Sequence, residues 1–594
     1  MSNIHRSFLI LFILFQFSFL LAQQKKPIGI NLAGIADWSE EFVFTDAFKQ
    51  SRLWTPHNAD GSGAWDSGVD IPLDAQGYPL EIPFNDGVHP PQTVRALMIW
   101  DLFDATPKGK YRLIAEGNGI IELEFGASGR FQTPIDTLVE VTGAVSLRIV
   151  KSNSTNPIHK VKFIYPKYVE NFQDKEFSDE LLEFLKDFKF IRFMDWLRTN
   201  NSFASTWSER STYDYYTQST YKGASWELII SLANTAKKDI WINIPHGVDD
   251  EYIEKLAQLM QQKLNPTLNI YLEYSNEVWN GIFSQYRESA RYAEELGFTG
   301  SEWERAWKYT AKRSADIFRI FESVFGSGVR LIKVVPSQAA NPWLSNQILQ
   351  YFQDPQYNPT LVKASALAIA PYFGGNTAND IFNEGLIQTI SSEDIINRMR
   401  ETLPQCYNWM IDSKTVADKF NLRLVCYEGG QHLVATYPAI DNDILTEKLK
   451  TANTDPMMQD LYCQYLDYWY EHIGGAFCHF SSHGKYTKYG SWGIKRNFED
   501  VENPKYLALQ KCVFEDNLVD TKTTSIEPYS FFYPNPSSDE IYIVRKTHTD
   551  KIRIFDLLGG LHLESSEDCI DISHLPKGTY MIQLLDCVLK FVKI

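Results

Sequence analysis

Two glutamates stand where short apolar runs rich in β-branched and aromatic residues give out. Glu277 ends LNIYLEYSNE (268–277), and Glu428 ends LRLVCYE (422–428) ahead of Gly429-Gly430. Hydrolysis of a glycosidic bond needs such a pair: one carboxyl protonates the leaving oxygen, and the other attacks the anomeric carbon or activates water. A separation of about 5–5.5 Å permits a covalent glycosyl intermediate, whereas roughly 6.5–9.5 Å leaves room for water. Either glutamate alone reads as a surface or ion-paired carboxylate, and their joint placement is what points to chemistry. Glu273 reads as an inward structural acid bonded to Arg192. His246 suits either a sugar hydroxyl or a structural hydrogen bond. Asp195 and Arg198 suit either subsite lining or support of the fold. The segment from Trp207 to Tyr221 is dense in aromatics, enough to floor a glycan cleft or to seal the loop against a neighbouring domain. Rival machinery is sparse: the sequence has no GxSxG elbow, no HExxH and no P-loop. His479 and His483 are four apart with no third ligand in view, so neither a metal nor a cofactor is expected.

The elements that must position the glutamates form a series. After IGINL (28–32) come FKFIRFMDW (188–196), DIWINIP (239–245), LNIYLEYSNE (268–277), VRLIKVVP (329–336), ALAIAPYF (366–373), LRLVCYE (422–428) and GAFCHFSS (475–482). Amphipathic stretches lie between them, such as the one after Asp249-Asp250 that stops at Asn265-Pro266. Eight strands alternating with helices predict an α/β fold, a closed (β/α)₈ TIM barrel, in which functional residues sit at the C-terminal strand ends. Glu277 then falls on strand four and Glu428 on strand seven.

Two regions break the pattern. Residues 61–166 carry alternating strands and turn signals, including Gly117-Asn118-Gly119, and predict a β-sandwich inserted after the first barrel strand and its loop (23–60). The barrel resumes over 167–515. A polar stretch without apolar periodicity, 516–528, reads as a linker to a small all-β tail at 529–594. At the other end Arg6 precedes an almost wholly apolar run, Ser7 to Ala22, which gives way to Gln23-Gln24-Lys25-Lys26. Residues 1–22 therefore read as a secretory signal peptide, the run being shorter than the roughly 20 residues that span a bilayer.

Composition sets the outer bounds. The 594 residues carry 57 Lys+Arg against 74 Asp+Glu, a net charge of −17 with no basic stripe, which argues against nucleic acid as a partner. Aromatics reach 14%, and their faces suit the C–H faces of pyranose rings. All seven cysteines lie beyond residue 400 with no CxxC pair, which excludes a zinc ribbon or dithiol motif; Cys569 with Cys587 is one possible bridge, and the connectivity stays open.

With Asn276-Glu277 on strand four and Glu428 on strand seven, the barrel resembles the clan A retaining glycoside hydrolases, the cellulase and mannanase-like superfamily. The resemblance implies Glu277 as acid/base, Glu428 as nucleophile and Asn276 as a partner of the sugar 2-hydroxyl. It implies Arg192 and Tyr372 as partners of the nucleophile, and Trp492, in Gly490-Ser-Trp-Gly493, as a sugar platform. The chain departs from the cellulase pattern in having Val278 rather than Pro after Asn-Glu, and Ala370-Pro371-Tyr372 rather than His-x-Tyr on strand six. The tail resembles the C-terminal sorting domain of the type IX secretion system through Tyr533-Pro-Asn-Pro536, Lys551-Ile-Arg-Ile-Phe-Asp-Leu-Leu-Gly559 and Ile572-Ser-His-Leu-Pro-Lys-Gly-Thr-Tyr580. It implies handling by that machinery, passage across the outer membrane, and release or display at the cell surface. The expectation is a secreted, endo-acting retaining hydrolase of a β-linked polysaccharide. The alternative is an inactive carbohydrate-binding or adhesive surface protein on the same barrel.

Overall fold

The computed structural model describes residues 26–100, 107–326, 330–515, 531–533, 537–544, 551–556, 559–583 and 588–594. The signal-peptide segment 1–22, the linker 516–528 and the Pro-Asn-Pro run 534–536 lie outside the described residues.

The barrel opens with β1 (Ile28–Asn31), and the chain then leaves it for six antiparallel strands: β2 (Thr55–Asn58), β3 (Gln92–Ile99), β4 (Gly109–Phe125), β5 (Gly129–Val141), β6 (Val145–Ser152) and β7 (His159–Ile164). β4 changes partners along its length, since Arg112–Glu116 pair with β7 and Gly119–Phe125 with β6, while β5 runs beside both halves. Alternate residues of β4, such as Tyr111, Leu113, Ile121 and Leu123, turn inward. They share a core with Tyr165, just after β7, and with Phe42, Phe48 and Tyr216 from segments belonging to the barrel side, and this core joins the inserted strands to the barrel.

The chain returns through β8 (Phe190–Arg192), β9 (Asp239–Ile244), β10 (Ile270–Tyr274), β11 (Leu331–Pro336), β12 (Ala366–Ile369), β13 (Arg423–Gly429) and β14 (Phe477–His479). With β1 between β14 and β8, these close into an eight-stranded parallel barrel. Its interior is filled by Phe190, Trp241, Val334, Tyr427 and Cys478, and the Tyr271 ring stacks on Trp241 at 5.0 Å. A second, larger apolar cluster seals the strands against the surrounding helices. The strands are shorter than their apolar runs: β8 stops at Arg192 because the Phe193 and Met194 carbonyls accept from Leu197 and Thr199 and turn the chain outward.

A disulfide joins Cys463 on helix Met457–His472 to Cys512 after helix Pro504–Leu509, 49 residues apart. It ties the helix before β14 to the helical segment after it. Cys406, Cys426 and Cys478 are buried thiols; Cys569 is an exposed thiol, and Cys587 lies outside the described residues. Closing a loop of this length stabilises by about 4 kcal/mol in the chain-entropy account. Replacing Cys463 and Cys512 together by alanine is expected to lower stability by about 2–5 kcal/mol, read from chemical denaturation of oxidised protein. An unchanged midpoint would show that packing alone closes the barrel.

The C-terminal unit has two antiparallel sheets of three and four strands around Ile541, Ile554, Ile570, Ile582 and Phe591. Among the described residues, no helix is long and apolar enough to cross a membrane.

Candidate active site

The chain turns sharply after β10. Ser275 and Glu277 both adopt left-handed backbone (φ 52° and 44°), a conformation that L-residues keep only when their surroundings enforce it. The enforcement is visible. Asn243 donates to the Ser275 carbonyl at 2.7 Å, and Gln285, from the following helix, donates to the Asn276 carbonyl at 2.8 Å. Glu277 thus sits on a braced turn three residues beyond the strand and presents a half-buried side chain at the barrel mouth. Asn280 donates to it at 2.9 Å, and the Tyr427 hydroxyl lies at 3.4 Å. Burial, and then the charge of Glu428, push its carboxyl up to about 7.

Glu428 reaches the same mouth from β13, where the register against β14 shifts between Cys426 and Gly429. This bulge re-aims the backbone. Two consecutive side chains consequently serve the site, Tyr427 from the barrel interior and Glu428 from its rim. A Cβ at residue 429 would lie 2.5 Å from the Phe477 ring, so the position after Glu428 demands glycine.

Arg192, fully buried at the end of β8, is the hub. It donates to Glu428 at 2.7 Å, to Glu273 at 3.0 Å, to Asn276 at 2.9 Å and to Asn31 at 3.0 Å. Burial opposes its charge, but Glu273 and Glu428 outweigh that and hold the guanidinium above its ordinary range. Glu273 accepts also from Trp241 at 2.7 Å and Asn243 at 2.8 Å, the acceptor-only shell of a carboxylate. The other oxygen of Glu428 accepts from Tyr372 at 3.0 Å. Burial, with the charges of Glu428 and Glu277, raises the Tyr372 phenol far above its usual value and keeps it a donor.

The structure therefore brings Glu277, Glu428, Asn276, Arg192 and Tyr372 together. Trp492 joins them at one remove, its half-buried ring packing edge-on to Tyr372 with centroids 6.0 Å apart. His246 stands apart. Its Nε2 pairs with Glu288 at 2.8 Å, its ring is 1% exposed, and it bonds neither glutamate. Burial lowers its pKa despite that partner, as befits a neutral ring bracing a loop. The aromatic segment 207–221 does not floor the site either: Tyr215 and Tyr216 pack on the core of the inserted strands, and Tyr216 stacks on Trp54 at 5.1 Å. Asn31, Tyr427 and Asn280 had no motif to announce them; only the placement of Asn31 at a strand end and of Asn280 three residues past Glu277 carried a signal. His479 is buried with a pKa lowered to about 3 by that burial, and among the described residues no group of three or more His, Cys, Asp or Glu could hold a metal ion.

A hydrogen-bonded carboxylate facing a carboxylic acid of raised pKa is equipped to deliver a proton and a nucleophile to one bond. Comparison of the sequence with curated proteins finds no match. Among solved structures the chain is similar to the endo-β-1,4-mannanase from Thermotoga petrophila (11% identity, 69% of this chain and 92% of that one, TM-score 0.31). It is also similar to xylanase10C from Cellvibrio japonicus (10% identity, 78% and 98%, TM-score 0.32). A third is the GH51 arabinofuranosidase from Xanthomonas axonopodis pv. citri (10% identity, 70% and 88%, TM-score 0.34). Residues 531–593 match the family model described as secretion system C-terminal sorting domain, so the chain ends in a type IX sorting domain and carries an address for export to the outer membrane or cell surface.

Proposed function

We propose that this protein is an exported glycoside hydrolase that cleaves a β-linked polysaccharide, internally and with retention of anomeric configuration. Glu428 is the nucleophile and Glu277 the acid/base. One observation carries the reading: at the mouth of the barrel, Glu428 is gripped by Arg192 and Tyr372, while Glu277 opposite is raised to about 7 partly by the charge of Glu428. In the first step Glu277 protonates the departing glycosidic oxygen as Glu428 forms a bond to the anomeric carbon. Once Glu428 is esterified its charge is gone, the pKa of Glu277 falls, and the same carboxyl serves as base for the incoming water. Asn276, held by Arg192 and by its own bond to Asn200 at 3.1 Å, is the residue we assign to the sugar hydroxyl beside the reacting carbon.

The test is release of reducing ends from plant, algal and fungal polysaccharides by wild-type protein and by Glu277→Gln and Glu428→Gln variants. Proton NMR of the first-formed product anomer accompanies it. Activity on one polymer, lost in both variants and giving the β-anomer first, is the expected result. An α-anomer would replace retention by inversion, and glycan binding without any release would leave only a binding protein.

A pH signature follows from Glu277. The proton needed for glycosylation is present below its pKa, so kcat/KM is expected to fall tenfold per unit as pH rises beyond about 7. In Glu277→Gln that alkaline limb should vanish, and an aryl glycoside with an acidic phenol should retain most of the glycosylation rate because its leaving group needs no proton. Persistence of the limb in the variant would assign it to another group.

A further inference from the structure

Gln285 stands in the first turn of the helix Ser284–Glu295, just beyond the turn that carries Glu277, and its side chain is fully buried. A buried primary amide has two N–H groups and a carbonyl to satisfy. Gln285 satisfies all three, on two separate loops. Its Nε2 donates to the Asn276 carbonyl and to the Asn200 Oδ1, both at 2.8 Å, and its Oε1 accepts from the Asn201 backbone N–H at 3.0 Å. Reversing the amide would set carbonyl against carbonyl and N–H against N–H, so the partners fix its orientation.

Asn276 closes the bracket. Its Oδ1 accepts from Arg192 at 2.9 Å, which turns its Nδ2 to the same Asn200 oxygen at 3.1 Å. Asn276, Asn200 and Gln285 thereby form a ring of hydrogen bonds, tied on one side to the cation that grips Glu428. The other side is no looser. The helix is docked on the barrel by Glu288 against His246 at 2.8 Å and by Ser289 against the Tyr274 hydroxyl at 3.1 Å. Its end is capped from the neighbouring loop: Phe283 offers no side-chain bond, and the Asn201 Oδ1 accepts from the Ser284 N–H at 2.7 Å. Asn201 does so from left-handed backbone (φ 54°), a conformation asparagine tolerates.

The Asn276 carbonyl is the handle on the turn, since its residue lies between the left-handed Ser275 and Glu277. Asn243 holds the carbonyl before it from inside the barrel, and Gln285 holds this one from the helix. Without the second hold, Glu277 loses one of the contacts that enforce its unfavourable φ, and the carboxyl turns with the backbone. We propose that Gln285 is a positioning residue for the acid/base: its polar atoms are all used elsewhere than on Glu277, and it aims that carboxyl by fixing the peptide before it. The inference rests on the hydrolase reading and deepens it, because misaim of a proton donor matters only where the leaving group needs a proton.

The experiment compares full-length wild-type protein with Gln285→Met, which nearly keeps the volume and removes every polar atom. A second variant, Gln285→Glu, keeps the shape and the acceptor for Asn201 but offers at most one hydrogen to two acceptors. Substrates are taken in matched pairs, a tetraose and the dinitrophenyl glycoside of the biose, in the cellulose, xylan, mannan and galactan series. The quantity read is kcat/KM, which reports the step that breaks the glycosidic bond, measured well below each variant's melting transition. On the tetraose it should fall about a hundredfold in Gln285→Met and less in Gln285→Glu, while on the dinitrophenyl glycoside it should stay within about threefold. A residue that merely packs would lower both alike, and Gln285→Glu alone decides if Gln285→Met does not fold. An equal loss on both members of a pair, or an unchanged tetraose value in the variants, would overturn the proposal and leave the hydrolase standing. Wild-type protein that turns over no pair would remove the hydrolase reading and the positioning role together.

Discussion

Replacing Glu428 with glutamine is expected to lower turnover of the cognate polysaccharide at least about 10⁴-fold while leaving oligosaccharide affinity within a few-fold. Glutamine is nearly isosteric: its carbonyl oxygen can still accept from Arg192, and its amide N–H can donate to the Tyr372 hydroxyl oxygen in place of the bond Glu428 accepts there, so the barrel mouth should keep its shape. It cannot form the glycosyl ester, and nothing else bonded to Arg192 is placed to do so: Glu273 is fully buried and saturated by donors. The sharper form of the test is Glu428→Ala with added azide. The small anion can occupy the vacated space and attack the anomeric carbon while Glu277 still protonates the leaving oxygen, giving a glycosyl azide of α configuration from a β-linked substrate. Rescue with that stereochemistry places the nucleophile at residue 428. Wild-type turnover by Glu428→Gln, or rescue yielding only the β-azide, would sink the assignment.

Much of this arrangement was legible in the sequence because it depends on periodicity. Eight β-branched runs separated by amphipathic stretches leave few alternatives to a closed barrel, and in such a barrel strand ends are mouth positions. The legibility ended where residues act through shape rather than pattern. Tyr427 contributes because a bulge lets neighbours share one mouth, and no spacing rule reports a register shift in a parallel pair. The aromatic density of residues 207–221 was equally compatible with a glycan floor and with a seal. Only the observed packing of Tyr216 on Phe48 and Trp54 decides for the seal. Disulfide partners depend on Cα approach, and so Cys463 and Cys512, 49 residues apart, were invisible as a pair. His246 stays open in the sequence for a related reason: a histidine at a strand end looks the same whether its ring faces the cleft or, as here, Glu288 on a helix.

Replacing Arg192 with methionine is expected to cost about 3–5 kcal/mol of stability and to slow turnover by about 10²–10³-fold even under conditions where the variant is folded. The argument is an accounting of donors. A guanidinium has five N–H groups. Here Nε goes to Glu273 at 3.2 Å, Nη2 to Glu273 at 3.0 Å and Asn276 at 2.9 Å, and Nη1 to Glu428 at 2.7 Å and Asn31 at 3.0 Å. All five are used. Methionine fills a similar volume but strands two buried carboxylates without their cation, the costly way to break a buried ion pair. It also frees Glu428 and Asn276 to drift relative to one another, which a reaction sensitive to displacements of about 1 Å registers in kcat. Lysine separates the two effects. It restores one charge, but its three donors radiate from a single nitrogen and cannot reach four partners spread around a planar fork. Arg192→Lys should therefore recover more of the stability than of the rate. Chemical denaturation and steady-state kinetics on the three proteins check this. A methionine variant that unfolds at the parental denaturant concentration, or a lysine variant that recovers full kcat, would show that Arg192 fills space at the centre of the barrel rather than fixing the geometry of its mouth.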